Sequence, residues 1–100
     1  MTDASTPVLE LGTGFRDDEV TVLLDGREVW HDRGVSTDYS VGLAALVPLP
    51  AGATGALDVR VGTRATGTAT LTGAAGERLR VDLDPAGAIT VGPAPEGPYF

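Results

Sequence analysis

The chain contains no cysteine. That absence excludes disulfides, thiolate metal sites and cysteine nucleophiles together. Lysine, asparagine and glutamine are also missing, so every basic side chain is an arginine. Aromatic residues make up only 5% of the chain, which leaves Val, Leu and Ala to fill a core. No apolar run approaches the roughly 18 residues of a membrane span. The segment Met1 to Pro7 is polar, without the basic and then apolar order of a leader. These features predict a cytoplasmic protein with no membrane partner.

Positive charge is scarce. The formal net charge is −7, and an acidic surface repels phosphate backbones and anionic lipid. No basic stripe exists, so nucleic-acid binding is not expected.

Long stretches free of glycine and proline are lacking too. The longest, Phe15 to Asp25, is eleven residues. A helix interior loses about 1 kcal/mol at Gly and about 3 at Pro, so there is little room for a helix of average length. Within the uninterrupted segments the apolar residues recur with period two. Leu57, Val59 and Val61 alternate with Asp58 and Arg60. Leu79, Val81 and Leu83 alternate with Arg80, Asp82 and Asp84. Such segments are strands with one wet face.

Turn chemistry marks where the strands end. Asp25-Gly26 between two apolar runs predicts a two-residue type I′ hairpin. Its ideal register sets Val22 opposite Val29, Thr21 opposite Trp30 and Glu19 opposite Asp32. Val20, Val22 and Val29 then share one face, and Leu23 and Trp30 the other. Asp84-Pro85-Ala86-Gly87 is a second turn, joining Arg78–Leu83 to Ala88–Val91. Further strands are expected at Val8–Leu11, Leu43–Leu49 and Ala65–Leu71, with Val35–Ser40 a weaker candidate. The prediction is one all-β domain of 100 residues. It is a small antiparallel β-sandwich, immunoglobulin-like or transthyretin-like, of seven or eight short strands, with a barrel as alternative. Residues 1–6 and about 93–98 read as loose or extended ends.

Three pieces carry a family resemblance: Val20–Val29, Thr37-Asp38 with Gly42, and Leu49-Pro50-Ala51-Gly52 before Leu57–Val61. Together they resemble the carboxypeptidase regulatory-like, or transthyretin-like, sandwich domains. The gap from Asp38 to Gly42 is one residue longer than the usual pattern, and aromatic residues after that Gly are missing. The resemblance implies a sandwich with a non-catalytic accessory role, and it carries over no site residues.

Several side chains are candidates for chemistry or contact. His31 is the lone histidine and the natural acid–base candidate, with Ser36, Ser40 and Asp32 near it in sequence. Neighbouring strand residues point to opposite faces, so Asp32 cannot readily orient His31, and no G-x-S-x-G elbow is present. An enzyme is not expected, nor is a cofactor. Asp17, Asp18 and Glu19 form an acidic run, and with Asp32 opposite Glu19 a hard cation such as Ca²⁺ would relieve the repulsion. The other reading is a solvated loop guarding a sheet edge. Thr66, Thr68, Thr70 and Thr72 line one face of a strand, either as a water- or sugar-binding row or as a strand-favouring solvent face. Leu23 and Trp30, outward on the hairpin, are candidate contact residues, and Tyr99 and Phe100, at the chain end, either strap back onto the domain's own core or insert into a partner. The leading expectation is a non-catalytic interaction module, a homo-oligomer or the binder of a protein partner. A Ca²⁺- or carbohydrate-binding module is the alternative.

Overall fold

Alternation decides the layers. The computed structural model describes residues 7–63, 65–73 and 77–93. Its strands are β1 (Val8–Leu11), β2 (Asp18–Leu24), β3 (Arg27–Val35), β4 (Ala45–Pro48), β5 (Thr54–Val61), β6 (Ala65–Thr72), β7 (Arg78–Leu83) and β8 (Ile89–Pro93). They form two four-stranded sheets, ordered β4-β1-β7-β8 and β3-β2-β5-β6. Each sheet turns its apolar positions inward. Leu9, Leu11, Leu79 and Val81 meet Val20, Val22, Leu57 and Val59 in one buried cluster. Each such side chain contributes about 1.5–3 kcal/mol when fully buried. The chain is thus an all-β sandwich, as its periodicity predicts. Among the described residues no helix is long and apolar enough to cross a membrane.

Two pairings depart from the simple expectation. β1 lies antiparallel to β4 but parallel to β7, so the sandwich is not purely antiparallel. The stretch 35–40 is not a strand of its own. β3 runs on to Val35, and beyond it a loop holds one isolated bridge, Asp38 to Leu43.

The Asp25-Gly26 turn forms as expected, with φ of 51° and 81° and Leu24 paired to Arg27. The register beyond it does not. Leu23 pairs with Glu28 but Val22 pairs with Trp30, so Val29 is an extra, bulged residue. A second shift falls between Asp18 and Val20, and Asp32 sits opposite Val20 rather than Glu19. The bulge has a clear physical gain. It carries Trp30 to the side of fully buried Val22, where Trp30 and Val29 both lie against the core. An aromatic ring buries far more surface than one ladder pairing is worth. The outward Leu23–Trp30 face is therefore corrected: Trp30 is half-buried on the core. Leu23 remains across from Glu28 and Asp58.

The outer face of the other sheet holds the one charged side chain that is fully buried among the described residues. Glu10 of β1 is 0% exposed. Its register neighbours are Leu46 on β4 and Arg80 on β7. Its carboxylate meets the Arg78 guanidinium, and Arg80 Nη1 at 3.5 Å. Arg78 is 42% exposed and Arg80 keeps Asp82 and the Gly42 carbonyl, so removing the carboxylate costs its charge-assisted hydrogen bonds and strands neither arginine. We predict that Glu10→Gln lowers stability by about 1.5 kcal/mol, read as a shift of the urea midpoint at unchanged slope. A loss below about 0.5 kcal/mol, the scale of a surface substitution, would contradict this.

Candidate functional site

Three loops meet at one end of the sandwich. Thr13, Gly14 and Arg16 come from the β1–β2 loop, Tyr39 from the β3–β4 loop, and Asp84 and Pro85 from the β7–β8 turn. With Leu83 they line an open cleft of about 480 Å³. Polar side chains fasten these loops to each other. Thr37 is the main rivet: its hydroxyl donates to the Gly12 carbonyl at 2.8 Å and accepts from the Phe15 amide at 3.1 Å. The Thr37 amide donates to the Phe15 carbonyl at 3.0 Å. Phe15 itself is buried.

Asp82 is the second rivet. Its Oδ1 accepts from the Thr13 amide at 2.8 Å and the Thr13 hydroxyl at 3.0 Å. Arg80 Nε stands 3.2 Å from its Oδ2. Gly14 follows at φ 92°, where a side chain would strike the Leu83 carbonyl. Its amide donates to the Tyr39 hydroxyl at 3.2 Å.

The Asp38 turn displays the rest. Asp38 Oδ1 accepts from the Ser40 amide and hydroxyl at 3.0 and 2.6 Å, and the Val41 and Gly42 amides donate to the Asp38 carbonyl. The Ser40 hydroxyl and amide hold the Asp38 carboxyl below its usual value. Arg80 Nη2 donates to the Gly42 carbonyl at 2.9 Å, pinning the far side of the turn. The result leaves Tyr39 69%, Val41 50% and Leu46 56% exposed, the large apolar side chains most open to solvent among the described residues. The Thr37-Asp38 and Gly42 pieces of the family resemblance thus serve as the fixing points of a display loop.

The sequence-derived candidates fall elsewhere. Glu19 Oε2 is 2.6 Å from His31 Nε2 and 3.6 Å from Arg33 Nε, and the hydrogen bond to His31 holds its carboxyl below the usual range. Asp18 Oδ2 accepts from the Arg16 amide, and Asp32 Oδ1 from the Arg33 amide. Asp17, at φ 51°, donates its amide to Ser36 Oγ. Among the described residues no group of three or more His, Asp or Glu side chains is placed to hold a metal ion. The Glu19–Asp32 opposition that called for Ca²⁺ does not form, because the bulged register moves Asp32 away. His31 has Glu19 as its partner, while Ser36 and Ser40 are engaged with Asp17 and Asp38. Thr66, Thr68, Thr70 and Thr72 do face outward, with Gly67 and Leu71 buried between them. Tyr99 and Phe100, and the end segments 1–6 and 94–98, lie outside the described residues.

The Asp82 rivet makes a prediction about acid. Burial alone would raise its carboxyl, but the Thr13 amide, the Arg80 guanidinium and the Thr13 hydroxyl outweigh burial and hold it below the usual range. An aspartate depressed in the folded state binds its proton more readily when unfolded. Its contribution is complete above the unfolded value, about 3.9, and fades as pH falls through the lower folded value. Asp82→Asn should therefore lose stability at neutral pH and shrink the further loss seen below about pH 4. Denaturant unfolding at the two pH values checks this, and an unchanged difference between them counts against the tie. No protein-family model, curated protein or solved structure matches the chain.

Proposed function

We propose that this domain is a non-catalytic interaction module that meets a protein partner through Tyr39, Val41 and Leu46. The observation that carries the reading is the rigid exposure of these three side chains within eight residues of sequence, beside the Arg16 cleft. Exposed apolar groups held by a fixed loop bind with little ordering cost. Aromatic anchors of this kind dominate protein contacts. The contact surface is thus shifted from the Trp30 face to the β3–β4 loop and β4.

The same proposal keeps the kinship to the transthyretin-like, carboxypeptidase regulatory-like sandwiches. What supports it is the role of the shared pieces. Asp38 and Gly42 build the display turn. In Leu49-Pro50-Ala51-Gly52, Leu49 is buried and the Ala53 amide closes onto the Pro50 carbonyl at 3.1 Å.

A photoreactive phenylalanine analogue in place of Tyr39 tests the contact in the cells that express the chain. We expect a discrete cross-linked adduct from that position and none from the exposed position Thr90. Val41→Glu with Leu46→Thr, which keeps a second carboxylate away from Glu10, should abolish the adduct while leaving the thermal midpoint nearly unchanged, since exposed substitutions cost within about 0.5 kcal/mol. No adduct, or one that survives both substitutions, overturns the reading.

A further inference from the structure

Four strands end the two sheets, and three of them are guarded. β3 carries two register shifts and the charges of Arg27, Glu28, Asp32 and Arg33. β4 is four residues long and ends at Pro48, and β8 ends in Gly92-Pro93. Bulges, charges, brevity and proline are the devices that stop one sheet edge from adding to another. β6 has none of them along its length, and at its last residue the Thr72 amide is already taken, by Glu77 Oε1 at 2.9 Å. Its eight residues, Ala-Thr-Gly-Thr-Ala-Thr-Leu-Thr, include no charge and no proline. Its register with β5 runs unbroken from Thr54↔Thr72 to Val61↔Ala65, so it is straight enough to template another strand. Among the described residues it pairs with β5 alone.

What could seat there is narrowed by β8. This strand lies beside β6 and closes the inner side of the sandwich. A Cβ added at Gly67 would come within 2.6 Å of Val91 Cγ2. At Gly67 there is no room for a side chain beneath β6, so what β6 offers is its backbone edge, and the partner that fits it is a strand.

We infer that this strand is β6 of a second copy, paired antiparallel about Ala69. In that register Thr68 faces Thr70 of the second copy, and by symmetry Thr70 faces Thr68. Threonines opposite one another across strands hydrogen-bond favourably. On the inner side small Gly67 falls opposite large Leu71, and no charge opposes a like charge. The net charge of −7 works against self-association in general but weakly at this edge. Glu77 sits at one end of the strand, on the Thr72 amide, and the outward charges beside its middle, Asp58 and Arg60 on β5, are of opposite sign. The two β5 strands would stand three strand spacings apart, about 14 Å, beyond the screening length of roughly 8 Å at physiological salt. Pairing would join two β3-β2-β5-β6 sheets into one of eight strands. This contact is separate from the Tyr39–Leu46 surface and does not depend on it.

Two paired variants test the contact and its register. Thr68→Glu with Thr70→Glu sets glutamate against glutamate twice in the symmetric dimer. Thr68→Glu with Thr70→Lys sets glutamate against lysine at the same places. Both positions are exposed, and circular dichroism melts confirm that each variant folds. In sedimentation equilibrium we expect the unaltered chain to approach dimer mass as concentration rises. The double glutamate should weaken dimerisation about tenfold, and the glutamate–lysine pair should restore it. The Val41→Glu, Leu46→Thr chain should still dimerise, whatever happens to its cross-linking. A chain that stays monomeric at every concentration overturns the inference. So does a double glutamate that dimerises normally, or a glutamate–lysine chain as monomeric as the double glutamate.

Discussion

Arg80 is the joint on which the exposed end of this molecule depends. Its guanidinium meets Glu10 of β1, Asp82 of its own strand and the carbonyl of Gly42. Each contact passes the constraint outward. Glu10 holds the first strand between β4 and β7. Asp82 fixes Thr13 and with it the β1–β2 loop. Gly42 ends the turn that presents Tyr39 and Val41. A planar group with five donors in a fixed fork can serve three acceptors at once. A lysine, a compact point charge, would not hold the same geometry. At 17% exposed the Arg80 side chain is also partly shielded from water, which strengthens each contact relative to a surface ion pair.

The strands were readable because their information is local. Leu57, Val59 and Val61, or Leu79, Val81 and Leu83, declare a face through spacing alone. Asp25-Gly26 and Asp84-Pro85-Ala86-Gly87 declare turns through the φ angles those residues accept. The second turn closes as its residues suggest, with the Gly87 amide on the Asp84 carbonyl and the Ala88 amide on Asp84 Oδ1. What could not be read is whatever depends on a distant partner. The bulge at Val29 exists because Trp30 finds a core to cover, and that core is built by strands far along the chain. Glu10 looks like any outward residue in Val8-Leu9-Glu10-Leu11 until β7 brings Arg78 and Arg80 beside it.

The candidate site was less legible than the fold for the same reason. A lone aromatic in the polar run Thr37-Asp38-Tyr39-Ser40 was a signal of display, since nothing local favours burying it. Its weight could be judged only once the Asp38 turn and the Arg80 contact fixed the loop. Trp30 and the acidic run drew attention by residue type, yet one lies against the core and the other is spread over separate partners. Leu46 was hidden inside an apolar stretch, Leu43-Ala44-Ala45-Leu46-Val47, whose alternation places Val47 inward and Leu46 outward. Edge strands show this inversion most, because only one neighbouring strand helps to cover their outer side.

The way the loops are fastened bears on what the molecule does. Lids and gates are drawn from segments with few ties, which open at low cost. Here the β1–β2 and β3–β4 loops are joined by hydrogen bonds from Thr13, Thr37, Asp38 and Arg80, and Phe15 is buried beneath them. A segment so restrained gains little by moving and loses little entropy on being covered. That combination is what the proposed contact through a preformed surface requires. It also explains why the polar residues of this end are spent on backbone groups. Asp38 Oδ1, Asp82 and the Thr37 hydroxyl turn toward the chain itself, and Tyr39 and Val41 stand exposed on the turn they fix, near the open cleft beside Arg16.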